Sequence, residues 1–203
     1  TLTLINRSGE LPPGLSGDVA FQSFRQPNIN NPGMVAFVAG LEGSDVENQV
    51  NNAGVWKGTP GSVSLVARAG DMIPDGSGDT FGRYFSAWQG QNVLINNSGR
   101  VAFKNNDPFI NDAICQETAS GLTVVAKIGG AAHGVPDAFY SLLNQVPPLS
   151  LNDSGDLPFP PFVFCNSGFC LDWVDDLKGA MIFQMSTNGS VSTDFPHLFL
   201  SQI

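Results

Sequence analysis

Short apolar segments separated by breaks rich in glycine and proline form the pattern of this chain. In residues 34–37 the aliphatic and aromatic side chains alternate with Met and Ala, and residues 100–103 repeat the alternation. A period of two residues is typical of a half-buried β-strand with its Phe facing inward. No segment shows a long amphipathic helix pattern, and only residues 139–146 are ambiguous. The pattern therefore predicts an all-β fold.

A turn followed by a strand recurs along the sequence in nearly the same residues. It reads INNPGMVAF at 29–37, INNSGRVAF at 95–103 and LNDSGDLPF at 151–159, with a weaker fourth copy, INRSGELPP, at 5–13. An Asn side chain can bond the backbone two residues on, and Gly can take the positive φ that closes a turn. The predicted turn residues are the Asn and Gly of each full copy, namely Asn30, Gly33, Asn96, Gly99, Asn152 and Gly155.

Other segments of strand length recur in phase with this turn. An aromatic segment precedes it, and a Gly-Val-Trp type and a Leu-Val-Ala type of segment follow the turn strand. The aromatic segments are 17–24, 78–85 and 136–143, the Gly-Val-Trp type are 53–58, 112–117 and 179–184, and the Leu-Val-Ala type are 62–71, 121–130 and 189–195. Internal repetition of this kind predicts an array of similar units, here with four strands each.

Three such units fill most of a single domain that spans residues 1–203. The units lie at about 14–75, 76–131 and 132–195, and terminal strands are predicted at 1–13 and 196–203. Four antiparallel strands are typical of a propeller blade, a face of a β-prism or one leaf of a trefoil. Closed propellers usually have four or more blades, so three units must close as a prism-like body, remain open, or be completed by a strand from a neighbouring subunit. Open sheets leave unpaired edges, and those edges seek partners.

Composition and charge exclude several function classes. The formal charge is −9 and the chain has no Lys/Arg cluster, so the surface that neutralises phosphates in nucleic-acid binders is missing. No apolar run reaches the length of a membrane-spanning helix. His133 and His197 have no Ser or Cys nucleophile motif beside them, so we expect no catalytic residues and no enzymatic activity.

Carboxylates suggest the one candidate cofactor, a calcium ion. Asp71, Asp75 and Asp79 lie in a Gly-rich loop, and oxygen-rich loops of small residues can wrap Ca²⁺. The loop lacks the final bidentate Glu of a twelve-residue calcium loop, and a solvated turn is the alternative. A second acidic cluster lies within residues 172–176.

Cys165 and Cys170 flank four residues and are predicted to lie opposite each other at the mouth of a short hairpin, within reach of a disulfide. The alternative is two ordinary buried thiols. Cys115 is left over and is predicted to be a small core residue.

Tryptophan and asparagine residues suggest contacts with carbohydrate. Trp56 occupies a repeated strand position and is predicted to be core, whereas Trp88 is a candidate surface aromatic for sugar binding. Formal glycosylation acceptors occur in Asn-x-Ser triplets at Asn6, Asn96, Asn152 and Asn188. Three of the four fall on copies of the repeated turn, so backbone geometry also explains them.

The chain resembles the secreted bacterial tandem-repeat proteins that are named for an N-x-x-G-x-x-A-F motif and whose C-termini carry various anchors. The resemblance is carried by the phrases GVWKGTPGSVSLVARAGDMIP and INNSGRVAF. The resemblance covers essentially the whole chain and is strongest in the first two units, since the third replaces the motif Ala with Pro158. It implies secretion and a propeller-like repeat body, and it supplies no activity and no catalytic residues.

These features lead to two functional hypotheses. The first is an extracellular structural protein, a surface or filament subunit that self-assembles by exchanging its terminal strands, because TLTLINRSG and HLFLSQI are apolar enough to complete a neighbour's sheet. Its partner is then another copy of itself. The alternative is a carbohydrate-binding lectin-like or adhesin module whose partner is a polysaccharide.

Overall fold

The structure of the protein is a computed structural model. It describes residues 2–85, 93–105, 112–132, 138–143 and 150–157, and it describes positions 26, 141–142, 162–165, 168–173 and 181–184 for the backbone alone. The described residues contain twelve strands and no helix, so the prediction of an all-β fold is confirmed for them. Among these residues no helix is long and apolar enough to cross a membrane.

The strands form three antiparallel sheets of four strands each, and each sheet follows chain order. Sheet 1 contains β1 (Ala20–Ile29), β2 (Val35–Glu42), β3 (Ala53–Thr59) and β4 (Ser62–Arg68). Sheet 2 contains β5 (Val93–Ile95), β6 (Val101–Asn105), β7 (Ala113–Thr118) and β8 (Gly121–Lys127). Sheet 3 contains β9 (Ala138–Leu142), β10 (Phe162–Cys165), β11 (Gly168–Trp173) and β12 (Met181–Gln184).

Two hydrophobic cores lie between consecutive sheets, and a third covers the outer face of sheet 1. The N-terminal core joins residues 5–19 to one face of sheet 1, core 1/2 joins sheets 1 and 2, and core 2/3 joins sheets 2 and 3. Phe37 of β2 enters the N-terminal core while Ala36 and Val38 enter core 1/2. In the same way Phe103 of β6 enters core 1/2 and Ala102 enters core 2/3. The sheets are therefore stacked, and β2 and β6 carry apolar residues on both faces.

This stacking corrects the expectation that the turn strands are half buried. Ala36 and Ala102 have no exposed surface, and neither does Phe103 on the opposite face of β6. A strand between two packed sheets must be apolar on both sides. The Phe of the repeated phrase thus enters the core that precedes its sheet, and the Ala enters the core that follows it.

Some predicted strands are wrong. Residues 78–85 form only isolated bridges, although Phe81 and Phe85 are buried, and the ladder strand of that unit is the three-residue β5. Residues 150–157 contain a turn but no strand, and the middle strands of sheet 3 are β10 and β11. The predicted strands at 189–195 and 196–203 lie outside the described residues.

The N-terminal segment, residues 2–13, also differs from its predicted form. It contains no strand; its backbone bonds to β1 through Gly9 and Glu10 at Phe21, and the Ser8 hydroxyl donates to Gln22 O. The described hydrogen bonds do not include the bond from the Gly amide to the Asn carbonyl that closes the three full copies, so Asn6 does not begin a fourth copy of the repeated turn.

The backbone register places the two predicted disulfide partners differently from expectation. Cys165 pairs with Gly168 and Cys170 pairs with Val163, so the cysteines occupy diagonal positions rather than opposite ones. Diagonal positions are about 7–8 Å apart, which is longer than the Cα separation of most disulfides. Their side chains lie outside the described residues, and the disulfide stays a prediction. Cys115 is a free, fully buried residue of core 1/2.

Candidate assembly site: the stacked asparagine turns

The three full copies of the repeated phrase form the same turn. In the first, Gly33 N donates to Asn30 O at 3.0 Å, and the Asn30 Oδ1 accepts from Met34 N at 2.8 Å. The turns at 96–99 and 152–155 have both bonds at similar distances. The closing glycines have φ values of +89°, +78° and +96°, a backbone conformation that L side chains rarely adopt. The sequence therefore determines the local shape of each turn.

The first turn is bonded to the second by the same side chain that shapes it. The Asn30 carboxamide donates through Nδ2 to Asn96 O at 2.8 Å. Beside this bond, Asn31 N donates to Asn97 Oδ1 at 2.9 Å. Each Asn thus uses its oxygen for its own turn and its nitrogen for the next one, which an Asp or Ser at this position would not do.

The second turn is bonded to the third in the same way. Asn96 Nδ2 donates to Asn152 O at 2.9 Å, and Asn97 N donates to Asp153 Oδ1 at 2.9 Å. Asn97 Nδ2 adds a bond to Asp153 Oδ2 at 2.9 Å. These hydrogen bonds from Asn97 lower the pKa of the Asp153 carboxyl, because they favour its charged form.

A third repeated contact comes from the strand after each turn strand. Lys57 of β3 donates through Nζ to Gly99 O at 3.0 Å, and Gln116 at the equivalent place in β7 donates through Nε2 to Gly155 O. Lys57 also forms an ion pair with Glu117 at 2.7 Å. Because Lys57 and Gln116 differ in residue type and lie outside the repeated phrase, sequence reasoning missed them.

The two ends of this turn stack are complementary, and neither end bonds to a further turn among the described residues. Among the described residues, no other turn donates to Asn30 O or to the Asn31 side chain. At the opposite end, Asn152 Nδ2 donates to Asp156 Oδ2 of its own turn at 2.6 Å. Asn96 inside the stack is 3% exposed, whereas Asn152 at its end is exposed. The first turn therefore offers acceptors, and the third offers donors.

The acidic loop predicted for calcium holds an ammonium group in the structure. Lys127 Nζ lies 2.8 Å from Asp75 Oδ2, 2.6 Å from Asp79 Oδ2 and 2.8 Å from the Ser77 hydroxyl. Burial raises the pKa of the Asp75 carboxyl, but hydrogen bonds from Lys127 and Ser77 outweigh it and lower that pKa to about 2. The cation at this loop thus comes from a residue far away in the sequence.

Asp71 does not join this group, and the described contacts leave its side chain without a bond to Lys127. Burial raises the pKa of its carboxyl. Among the described residues no cluster of three or more His, Cys, Asp or Glu side chains is arranged to hold a metal ion. Calcium binding stays a prediction, and the position of Lys127 argues against it.

The remaining candidate residues fall into different settings. Trp56 is fully buried in the N-terminal core and donates through Nε1 to Pro13 O at 3.1 Å, so it is a core residue and not a sugar platform. Of the glycosylation candidates, Asn96 is committed to the turn stack through Nδ2, and Asn152 is exposed. Four further candidates lie outside the described residues, namely Trp88, His133, Asn188 and His197.

Lys104 is a buried charge that the sequence did not reveal. It is 2% exposed on β6, and its Nζ makes no hydrogen bond to the described residues. Burial lowers the pKa of its ammonium group to about 8, against the opposing charge of Asp112. It occupies the position of Val38 in sheet 1, where an apolar residue fills the core.

These features define an all-β protein whose sheets stack through a repeated network of hydrogen-bonded turns. The model of a family of unknown function (DUF7453) matches residues 1–111, more than half of the 203 residues, and the chain belongs to that family. The matched part covers the N-terminal segment, sheet 1, and β5 and β6 of sheet 2. No curated protein and no solved structure matches the chain.

Proposed function

We propose that the protein is an extracellular structural subunit that assembles head to tail by extending its own turn stack. The observation that carries this proposal is the complementarity of the stack ends. Asn152 Nδ2 of one copy would donate to Asn30 O of the next, as Asn30 does to Asn96 and Asn96 does to Asn152. The joint between copies would then repeat the joint between consecutive sheets.

The apolar outer face of sheet 1 supports the same head-to-tail direction of assembly. Sheet 1 buries Phe37 and Trp56 on the face opposite core 1/2, but this face is covered by short N-terminal segments rather than by a sheet. Phe24 on β1 stays 37% exposed. A sheet packed here would remove this aromatic surface from water, which is the main favourable term in most protein association.

A head-to-tail joint forms a closed ring when its rotation closes and an open filament when it does not. Two copies would supply six sheets of this kind. Closed propellers have four to eight blades, and each blade is a four-stranded sheet. The blade-like form of the fold therefore favours a two-copy ring as the basic unit of a surface layer or filament, in preference to a three-sided prism. The extracellular location rests on the resemblance to secreted N-x-x-G-x-x-A-F repeat proteins.

The test is the oligomeric state of the chain together with one change at the stack end. Sedimentation velocity and negative-stain microscopy over a wide concentration range should show concentration-dependent assembly. Asn31→Ala should weaken it by about three- to tenfold, because the variant removes an acceptor worth about 0.5–1.5 kcal/mol without touching the backbone amide that bonds to Asn97.

Asn97→Ala is the matched comparison, since the equivalent side chain already has partners within the chain and its loss should lower the stability of the monomer. A strictly monomeric wild-type protein at all concentrations would overturn the proposal. Carbohydrate binding remains the alternative, but Trp56, the one tryptophan with a described side chain, is buried and gives it no support.

A further inference from the structure

The side chain that follows each turn glycine covers the glycine of the next turn. A Cβ atom on Gly99 would lie 3.1 Å from Sδ of Met34, the residue after the first turn glycine. In the same way, a Cβ atom on Gly155 would lie 2.8 Å from Nη1 of Arg100, the residue after the second turn glycine. This contact therefore runs in the same direction as the asparagine bonds from the first turn to the second and from the second to the third.

The glycine at the first end of the stack is uncovered. Apart from its two chain neighbours, no atom of the described residues comes within 4 Å of the place where a Cβ atom on Gly33 would lie. At the other end of the stack, the residue after the turn glycine is Asp156. In a head-to-tail assembly, Asp156 of one copy would therefore take the place over Gly33 of the next copy.

Asp156 differs from its two equivalents because it can accept a hydrogen bond from its own turn. Its Oδ2 accepts from Asn152 Nδ2 at 2.6 Å. The thioether of Met34 is only a weak acceptor, and the guanidinium group of Arg100 has no acceptor. In the first two turns the asparagine nitrogen donates to the carbonyl of the next turn instead. The acidic residue thus draws the last donor of the stack back to its own turn.

The charge of Asp156 adds a second cost to a contact between copies. Among the described residues no basic side chain bonds to the first turn, so a carboxylate placed over Gly33 would lose water without gaining a charge partner. Inward-pointing charged residues are one means by which natural proteins limit association at open sheet edges. Asp156 is therefore placed to weaken the contact between the third turn of one copy and the first turn of the next.

We propose that Asp156 is the residue that sets the strength of the contact between copies. Its carboxylate holds Asn152 Nδ2, which must donate to Asn30 O of the next copy, and it occupies the place from which an uncharged side chain would cover Gly33. The partner is a second copy of this chain, and this inference rests on the head-to-tail assembly proposed above. Removal of the carboxylate should therefore tighten assembly and leave the fold of the monomer intact.

The test compares two variants of the full chain by sedimentation velocity. Asp156→Met gives the third turn the residue that follows the first turn glycine, and the dissociation constant of the assembly should fall about three- to tenfold, because one competing hydrogen bond is removed. Glu42→Met is the matched control, since it makes the same change of charge at an exposed residue on the opposite end of β2 from the turn. It should leave the dissociation constant unchanged.

A second measurement tests the bond to Asp156 in the monomer, at concentrations below assembly. The NMR signals of the Asn152 side-chain amide should move with pH as a neighbouring carboxyl group titrates, and they should lose most of this dependence in Asp156→Met. Circular dichroism should show the same fold and nearly the same melting temperature for this variant, because the bond lies in an exposed turn. An unchanged pH dependence of these signals in the variant would overturn the role of Asp156.

The outcomes separate the two proposals. Equal dissociation constants for the wild type and both variants overturn the role of Asp156 and leave the turn-stack assembly standing. Equal tightening in both variants also overturns it, because the net charge and not the position of the carboxylate then weakens assembly. If the wild type and Asp156→Met are both monomeric at all concentrations, both proposals are wrong. Tighter assembly in Asp156→Met alone supports the role of Asp156.

Discussion

A single asparagine in each repeat both shapes a turn and joins it to the next one. The carboxamide of Asn96 accepts from Arg100 N at 2.9 Å and donates to Asn152 O at 2.9 Å while it is almost fully buried. A carboxylate at this site would keep the first bond and lose the second, and a serine is too short to make both. The side-chain amide is thus required by two different contacts.

Replacing the repeated Asn by Ala in the second and in the third turn should separate the stability that comes from the turn itself from the stability that comes from the bond between turns. Asn96→Ala should lower the free energy of unfolding by about 2–3 kcal/mol, because it removes three hydrogen bonds, namely the one to the Asn152 carbonyl and those from the Arg100 amide and the Ser98 hydroxyl. Asn152→Ala removes only bonds within its own exposed turn, and should cost about 1 kcal/mol. Urea unfolding followed by circular dichroism measures both. Equal losses would show that the bonds between turns contribute nothing to stability.

At the scale of elements, the sequence predicts what local chemistry determines. The Asn and Gly residues of the repeated phrase predicted the three turns, and period-two alternation predicted β2 and β6. Segments that recur in phase with them predicted β3, β4, β7 and β8 near their observed positions. The same alternation was wrong about burial, because a sequence shows which residues alternate and not that a second sheet covers the other face. Ala36 and Ala102 look neutral in sequence and are buried in the stack.

The elements that were missed depend on contacts distant in sequence. β5 is only three residues long, and besides its hairpin with β6 its Val93 carbonyl accepts from the distant Asn28 carboxamide of β1 at 3.2 Å. The N-terminal segment carries an Asn, a Ser and a Gly at turn spacing, yet its Gly9 bonds to Phe21 and not to Asn6. Lys57 and Gln116 act on turns of the following unit, and no local pattern marks them.

The link between the acidic loop and β8 gives a pH-dependent prediction. Lys127→Met should lower the melting temperature at pH 7 by about 2–4 °C, because it removes the charge partner of Asp75 and Asp79. Hydrogen bonding in the folded state lowers the pKa of Asp75 to about 2 from 3.8. Its contribution is therefore complete above pH 4 and disappears as the pH falls to 2, so the two proteins should converge over that range.

Arg7→Met is the control for this comparison, since the Arg7 side chain is 73% exposed in its pair with Glu10 and surface pairs contribute little. Calcium should leave the melting temperature of the wild type unchanged, because the Lys127 ammonium group already lies among the loop oxygens. A rise in melting temperature with calcium, reversed by a chelator, would contradict this assignment.

At the scale of the whole molecule, stability is distributed over the contacts between consecutive sheets. Core 1/2 contains residues of sheets 1 and 2 and the loop between them, and core 2/3 contains residues of sheets 2 and 3 and their connections. The turn bonds follow the same order, from the first turn to the second and from the second to the third. Such a chain behaves as a one-dimensional array in which each unit depends on the units it touches.

Loss of packing in one core should therefore destabilise only the sheets that contribute residues to that core. Phe21 and Phe103 are both fully buried, but Phe21 belongs to the N-terminal core and Phe103 to core 1/2. Truncation of a buried Phe costs about 3–5 kcal/mol in either place. Phe21→Ala should speed native-state hydrogen exchange in β1–β4 and leave β6–β8 protected, because core 1/2 and core 2/3 keep all their residues. Phe103→Ala should speed exchange in β2–β4 and β6–β8 together, since sheets 1 and 2 share that core. Equal loss of protection throughout the chain in both variants would mean that the sheets unfold as one cooperative unit, which the nearest-neighbour arrangement of the cores does not predict.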